Sequence, residues 1–221
     1  MFGTHTLNGI LIGGWILAGL VLMGCTNDQD VLVLPFYRNA DLTPEWLAQP
    51  SADEAAMHQV GDFAFVNQDG EMVTAHDFAG KIYVANFFFV HCPGICPTMR
   101  TNLAKIQQAF LDDDAVLLLS HTVQPETDTV PVLQNYATVN DVVSGKWHLV
   151  TGTREAIYAL ARDAYFADLE ADLAEDNFLH SENFYLIDQA GRIRGIYNGT
   201  LPLDVQQLIE DIAILKQASR L

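Results

Sequence analysis

The distribution of hydrophobic and polar residues predicts a chain that alternates between strands and helices. A continuous apolar run covers residues 83–90 and ends at His91, where a turn rich in proline and glycine begins. An aromatic and β-branched run this short is typical of a strand that is buried on both faces. After Pro97 the apolar residues recur at helical spacing, at Met99, Leu103, Ile106 and Phe110. The change of period therefore predicts a buried strand, a turn and an amphipathic helix with Pro97 as its first residue.

Further elements are predicted on both sides of this unit. Strands are predicted at 63–66, 72–74, 115–120, 147–150, 184–187 and 193–197, and helices at 75–79, 97–110, 129–139, 153–168 and 203–216. The helix over 97–110 lies between two continuous apolar strands, which is typical of the crossover in a parallel βαβ unit. The order of elements predicts an α/β fold in which a mixed central sheet has helices on both faces and an added N-terminal hairpin.

The N-terminal segment differs from the rest of the chain, because residues 1–24 contain no Asp, Glu, Lys or Arg. Its apolar stretch, residues 10–23, is short for a membrane span and is typical of the apolar region of an export signal. The sequence Leu-Met-Gly-Cys at residues 22–25 resembles a bacterial lipobox, in which the cysteine, here Cys25, is acylated and becomes the new N-terminus. An uncleaved signal anchor is the alternative. Both interpretations place the remainder on the periplasmic side, attached to a membrane.

The domain organisation follows from this division. Residues 1–24 are predicted to be the export signal with its lipobox, or the anchor. Residues 25–59, which several prolines interrupt, are predicted to be an extended tether. Residues 60–221 are predicted to be one folded domain with a substantial core. The formal net charge of −17 excludes nucleic acid as a partner, because nucleic-acid binding needs a basic surface.

Two cysteines, Cys92 and Cys96, lie in the turn between the buried strand and the helix. If Cys25 carries lipid, they are the remaining thiols of the exported chain, which therefore has no disulfide framework. The positive end of the helix dipole is expected to lower the pKa of thiols at this position. At a spacing of four residues, the two sulfurs can bind a metal together or form a disulfide. An inert structural disulfide is a further alternative, although so short a loop stabilises a fold little.

Residues 91–97, His-Cys-Pro-Gly-Ile-Cys-Pro, resemble the C-P-x-x-C-P signature of the SCO/SenC family of copper chaperones, which act in cytochrome c oxidase assembly. Residues 122–129 and the glycine-rich residues 191–199 are also similar to stretches of this family, with Gln124 and Thr127 as departures from its pattern. The resemblance covers roughly residues 60–215 and implies a thioredoxin-like fold.

The same resemblance implies a copper site formed by Cys92, Cys96 and His180, a histidine that precedes the predicted closing hairpin. Two thiolates and one imidazole form a soft ligand set that suits Cu(I) and, with small changes, Cu(II). Zinc also accepts such ligands, but it takes a fourth ligand or a water molecule. The protein would then be a metallochaperone rather than an enzyme, and its partner would be the copper-bearing subunit of cytochrome c oxidase.

A thiol–disulfide oxidoreductase or redox sensor is the competing interpretation. Cys92 and Cys96 would then act as attacking and resolving thiols on another exported thiol protein. His180 distinguishes the two functions, because disulfide exchange needs no imidazole and the implied copper site does. Two other histidines, His121 and His148, lie beside predicted buried strands and are expected to be hydrogen-bonded at the edge of the core rather than to bind metal.

Overall fold

Strands and helices alternate along the chain as predicted. The computed structural model describes residues 1–3, 33–47, 51–167 and 181–218. The chain divides into a unit over Met1–Val31 and a unit over Leu32–Leu221, and the elements below belong to the second unit. Its described strands are β1 (Phe36–Tyr37), β2 (Pro44–Glu45), β3 (Ala64–Asn67), β4 (Met72–Thr74), β5 (Ile82–Phe88), β6 (Val116–Thr122), β7 (Trp147–Thr151), β8 (Asn183–Ile187) and β9 (Ile193–Asn198). Its described helices are α1 (Ala75–Phe78), α2 (Cys96–Ala109), α3 (Val130–Val139), α4 (Arg154–Tyr165) and α5 (Pro202–Ala218), with a short 3₁₀ helix at Ala52–Ala56.

A seven-stranded mixed sheet forms the centre of the fold. Its strand order is β4-β3-β7-β6-β5-β8-β9. The pairs β5–β6 and β6–β7 are parallel, and the other neighbouring strands are antiparallel. Every residue of β5 and β6 is buried, as expected for parallel strands that are covered on both faces.

Different helices cover the two faces of the sheet, because side chains alternate along each strand. Phe88 of β5 faces α2 and packs near Met99 of that helix. Phe87 and His121 point to the opposite face, where Tyr165 of α4 lies 5.6 Å from Phe87 and 5.7 Å from His121 between ring centres. The predicted α/β fold with a mixed sheet and helices on both faces is therefore confirmed.

The observed helix boundaries depart from the predicted ones by a few residues. Helix α2 begins at Cys96, one residue before the predicted start, and Pro97 occupies its first turn, where no backbone N–H is needed. Helix α4 ends at Tyr165 because Phe166 adopts a left-handed conformation with φ of 53°. The hydrophobic pattern continues past this point and could not show the change of backbone direction.

Part of the predicted tether packs against the folded domain. Strands β1 and β2 form a small antiparallel sheet of their own, and Phe36 of β1 is fully buried. Directly after the tether, at the first residue of the predicted domain, the N–H of Val60 donates to the carbonyl of Gly191 at 2.9 Å, next to the β8–β9 turn. The described residues of this lead-in therefore contribute to the surface of the domain.

The predicted export signal and its cysteine have no structural description. Residues 4–25, which include the apolar stretch and Cys25, lie outside the described residues. Among the residues that are described, no helix is both long and apolar enough to cross a membrane.

Candidate metal centre

Both thiols lie at the junction between the central strand β5 and helix α2. Cys92 is in the turn and half-buried, whereas Cys96 is the first residue of the helix and buried. Both are free cysteines. The two side chains are close enough for each to affect the other's protonation. The structure therefore brings together the two cysteines that the motif predicted to act as a pair.

Burial governs the protonation of the inner thiol. It raises the pKa of Cys96 to about 12, and the interaction with the neighbouring Cys92 acts in the same direction. Backbone groups of Phe89 and of Cys96 itself act in the opposite direction but are weaker. The expectation that the helix terminus lowers the thiol pKa is therefore wrong for Cys96, because desolvation outweighs it. Without a metal, this sulfur stays protonated at neutral pH.

A buried carboxylate supports the turn that carries Cys92. Asp128 lies in the loop between β6 and α3 and is fully buried. Its Oδ2 accepts the N–H of Val90 at 3.0 Å and the hydroxyl of Thr122. Burial raises the pKa of Asp128, and the hydrogen bonds from Thr122 and Val90 act against it. Because Val90 gives its N–H to Asp128, strand β5 ends at Phe88, two residues before the apolar run ends.

A second set of contacts links α2 to the chain that enters β8. The amide of Asn102 in α2 donates to the carbonyl of Gly199 at 2.8 Å. The N–H of Gly199 in turn donates to the carbonyl of Glu182 at 2.6 Å. A Cβ atom at Gly199 would lie 2.5 Å from the ring of Phe184, so only glycine fits there. Glu182, two residues after His180 in the sequence, is thereby fixed relative to the helix of Cys96.

The third predicted ligand, His180, lies outside the described residues. Among the residues that the structure does describe, no group of three His, Cys, Asp or Glu side chains could hold a metal ion. A third ligand for a metal bound by Cys92 and Cys96 would have to come from elsewhere in the chain, from a partner or from solvent. His91 is exposed beside Cys92.

His121, one of the two histidines expected at the edge of the core, is fully buried instead. His121 is deep in the core, stacked on Phe87 at 5.3 Å and edge-on to Phe63 and Phe65. Neither of its ring nitrogens has a hydrogen-bond partner in the described part of the chain. The expectation of a hydrogen-bonded His121 is thus not met among these residues. Burial lowers the pKa of His121 to about 3, so that the ring is neutral at physiological pH.

Asp128 and Asn102 were not recognised from the sequence as supporting residues. Asp128 contacts a backbone group 38 positions away, and Asn102 contacts one 97 positions away, so neither contact has a local sequence signal. The one available signal was that Asp128 lies within residues 122–129, which resemble a stretch of the SCO/SenC family.

A pair of thiols at the end of a central strand, at the start of the helix that follows it, defines a thioredoxin-like protein with a redox-active or metal-binding site. The chain belongs to the SCO1/SenC family, because the model of that family matches residues 51–217. The fold and the family implied by the cysteine motif are both confirmed.

Three solved structures are similar over most of the domain. A SCO1/SenC family lipoprotein from Bacillus anthracis str. Ames is 30% identical, over 72% of this chain and 95% of that chain, with a TM-score of 0.66. BsSco, a member of the Sco family of cytochrome c oxidase assembly proteins with an identified disulfide switch, is 28% identical, over 72% and 93%, with a TM-score of 0.61. Copper-bound ScoI from Arabidopsis thaliana is 26% identical, over 71% and 98%, with a TM-score of 0.56.

Proposed function

We propose that this protein is a membrane-attached, extracytoplasmic copper chaperone that delivers copper to the copper-bearing subunit of cytochrome c oxidase. Cys92, Cys96 and His180 would be the ligands. The observation that carries the proposal is the position of two free thiols, four residues apart, between the end of the buried strand β5 and the first residue of α2. The copper-bound relative and the oxidase-assembly relative support this assignment.

The donor set fits copper better than it fits other common metals. Thiolates are soft ligands that favour Cu(I), and an imidazole completes a site with few ligands. Because Cys96 is protonated in the metal-free protein, copper has to displace its proton on binding. Uptake and release of copper would therefore be coupled to proton exchange at this sulfur.

Membrane attachment is proposed to occur through Cys25, in the lipobox-like residues 22–25. A similar protein from Bacillus anthracis is a lipoprotein, which supports this interpretation over the uncleaved anchor. Attachment at this position would leave residues 26–221 on the periplasmic side.

Copper titration of the reduced protein tests the proposed site. We expect one copper ion per chain, with proton release, and no binding once Cys92 and Cys96 form a disulfide. Loss of an outer-shell partner typically lowers metal affinity ~10–100-fold, so loss of a direct ligand in His180→Ala should lower it further. His76→Ala, which replaces an exposed histidine of α1, is the matched control and should bind normally. Copper uptake by the oxidised protein, or normal affinity in His180→Ala, would contradict the ligand set.

Thiol–disulfide exchange is the second candidate function, favoured by the two free thiols that lie four residues apart at the start of α2. The half-buried Cys92 would attack, and the buried Cys96 would resolve the mixed disulfide. In this case His180→Ala should leave both the reduction potential and the activity unchanged. If His180→Ala abolishes oxidase assembly while the dithiol still reduces a partner disulfide, exchange is not the main function.

A further inference from the structure

Arg194, near the start of β9, holds residues 34–36 of the predicted tether against the domain. Arg194 is buried and forms an ion pair with Asp188 at 3.2 Å. Its guanidinium carbon lies 3.8 Å from the centre of the Phe36 ring. Two of its N–H groups donate to the carbonyls of Pro35 at 2.9 Å and Leu34 at 2.6 Å. A buried charge with this many partners holds the segment in one place, because moving the segment away would leave buried N–H groups of the guanidinium without acceptors.

The strand directions place this attachment at the end of the sheet opposite the thiols. Strand β8 is antiparallel to β5, and β9 is antiparallel to β8, so β9 runs in the same direction as β5. The first residue of β9 therefore lies at the end where β5 begins, which we call the tether end. The thiols follow the last residue of β5, at the thiol end. With seven residues in β5, the two ends are about 20 Å apart.

An open groove lies between the locked segment and α5. It has a volume of about 660 Å³ and is lined mainly by apolar side chains, among them Val33, Leu34, Pro35, Trp46, Ala213 and Ile214. We call it the anchor-side groove. Trp46 is 64% exposed. A large exposed aromatic side chain beside an apolar groove is typical of a contact surface.

We propose that the anchor-side groove rests on the lipid bilayer, with Trp46 in the headgroup region and the thiol end directed away from the membrane. The inference rests on the proposed attachment through Cys25. Eight residue steps separate Cys25 from Val33, and they span at most about 29 Å when fully extended. Because Val33 itself lines the groove, lipidation of Cys25 would place this surface within reach of the bilayer and nearer to the attachment along the chain than the thiol end.

The chemistry of the surface favours lipid as the occupant. Tryptophan is enriched at membrane–water interfaces because its ring is apolar and its N–H is polar. The net charge of −17 opposes attraction to anionic lipid, so the contact has to be made by apolar side chains. Glu210 stands among the lining residues, and we expect the contact to weaken as the fraction of anionic lipid rises.

Fluorescence quenching in vesicles tests the orientation. The full chain is reconstituted in phosphatidylcholine vesicles that contain lipids brominated at a shallow acyl position, and the Trp46 emission is obtained as the difference between the wild type and Trp46→Phe. We expect a loss of Trp46 emission, and a smaller loss when phosphatidylglycerol is added. The matched control is Leu201→Trp in the Trp46→Phe background, because Leu201 is 49% exposed and precedes α5 at the thiol end. Its emission should not change.

The outcomes separate this inference from the attachment on which it rests. Mass spectrometry and flotation of the same vesicles report whether Cys25 is lipidated and the chain is membrane-bound. A bound chain whose Trp46 emission is unchanged would overturn the inference and leave the attachment intact. Equal quenching at both ends of the sheet would also overturn it. If the Trp46 emission shows the same protection from solvent in detergent as in vesicles, another part of the chain occupies the groove. If that protection grows with protein concentration, a second copy of the chain occupies it. Either result would overturn the inference.

Discussion

The buried His121 is predicted to make the fold sensitive to acid, and His121→Phe should reduce this sensitivity. Burial lowers the pKa of His121 from 6.5 to about 3, while the unfolded chain retains the ordinary value. Between these two pKa values the unfolded state binds a proton that the folded state does not, so unfolding becomes easier as the pH falls. The contribution of His121 is fully present above pH 6.5 and decreases down to about pH 3.

The size of the effect follows from the same two values. One pH unit within this window corresponds to about 1.4 kcal/mol. Lowering the pH from 7.5 to 5 should therefore remove roughly 2 kcal/mol of the free energy of unfolding through His121 alone. A phenyl ring can take the place of the imidazole among Phe63, Phe65 and Phe87. Any overpacking by its larger ring costs about 1–3 kcal/mol, but this term does not depend on pH.

Urea denaturation of the metal-free protein at pH 7.5 and pH 5 measures the effect. Acidic residues also titrate in this range, so the quantity to compare is the difference between the wild type and His121→Phe. We expect the wild type to lose roughly 2 kcal/mol more than the variant. His76→Asn, at an exposed position of α1, is the control and should follow the wild type. If the wild type and His121→Phe lose the same free energy, the imidazole is protonated in the folded state and the argument from burial fails.

Two further predictions concern the thiols and the residue that supports them. Cys92 should react with iodoacetamide faster than Cys96 at neutral pH, because burial raises the pKa of Cys96 to about 12; peptide mass spectrometry at short times measures both rates, and equal rates would contradict the burial of Cys96. Asp128→Ala should lower the free energy of unfolding by about 1–3 kcal/mol, because the buried N–H of Val90 loses its acceptor. Urea denaturation measures the free energy of unfolding of this variant and of the control Asp163→Ala, which changes an exposed residue. Equal values for the two variants would show that Asp128 does not support the turn.

The sequence predicted those parts of the site that depend on local pattern. The switch from a continuous apolar run to helical spacing placed both cysteines between β5 and α2, within one residue of the observed helix start. Proline favours the first turn of a helix because its φ angle is fixed and it has no backbone N–H. This preference is local, so the helix start could be predicted without knowledge of the fold.

Features that depend on tertiary packing were not predictable in this way. The helix dipole suggested a lowered pKa for Cys96, but the opposite shift comes from the core that surrounds the sulfur. The contacts of Asp128 and Asn102 join parts of the chain that are distant in sequence. No local pattern reports such pairs, because they exist only after the sheet has formed.

The link through Gly199 means that the chain entering β8 is held against the helix of Cys96 without any metal. Cys96 and Glu182 are far apart in the sequence, and an unstructured chain of that length would lose entropy on closing around an ion. Asn102 and Gly199 already hold Glu182 in place by two hydrogen bonds. Copper binding therefore does not have to order the chain that enters β8. If copper is passed to a partner, as proposed, these two hydrogen bonds would remain in place for the next ion.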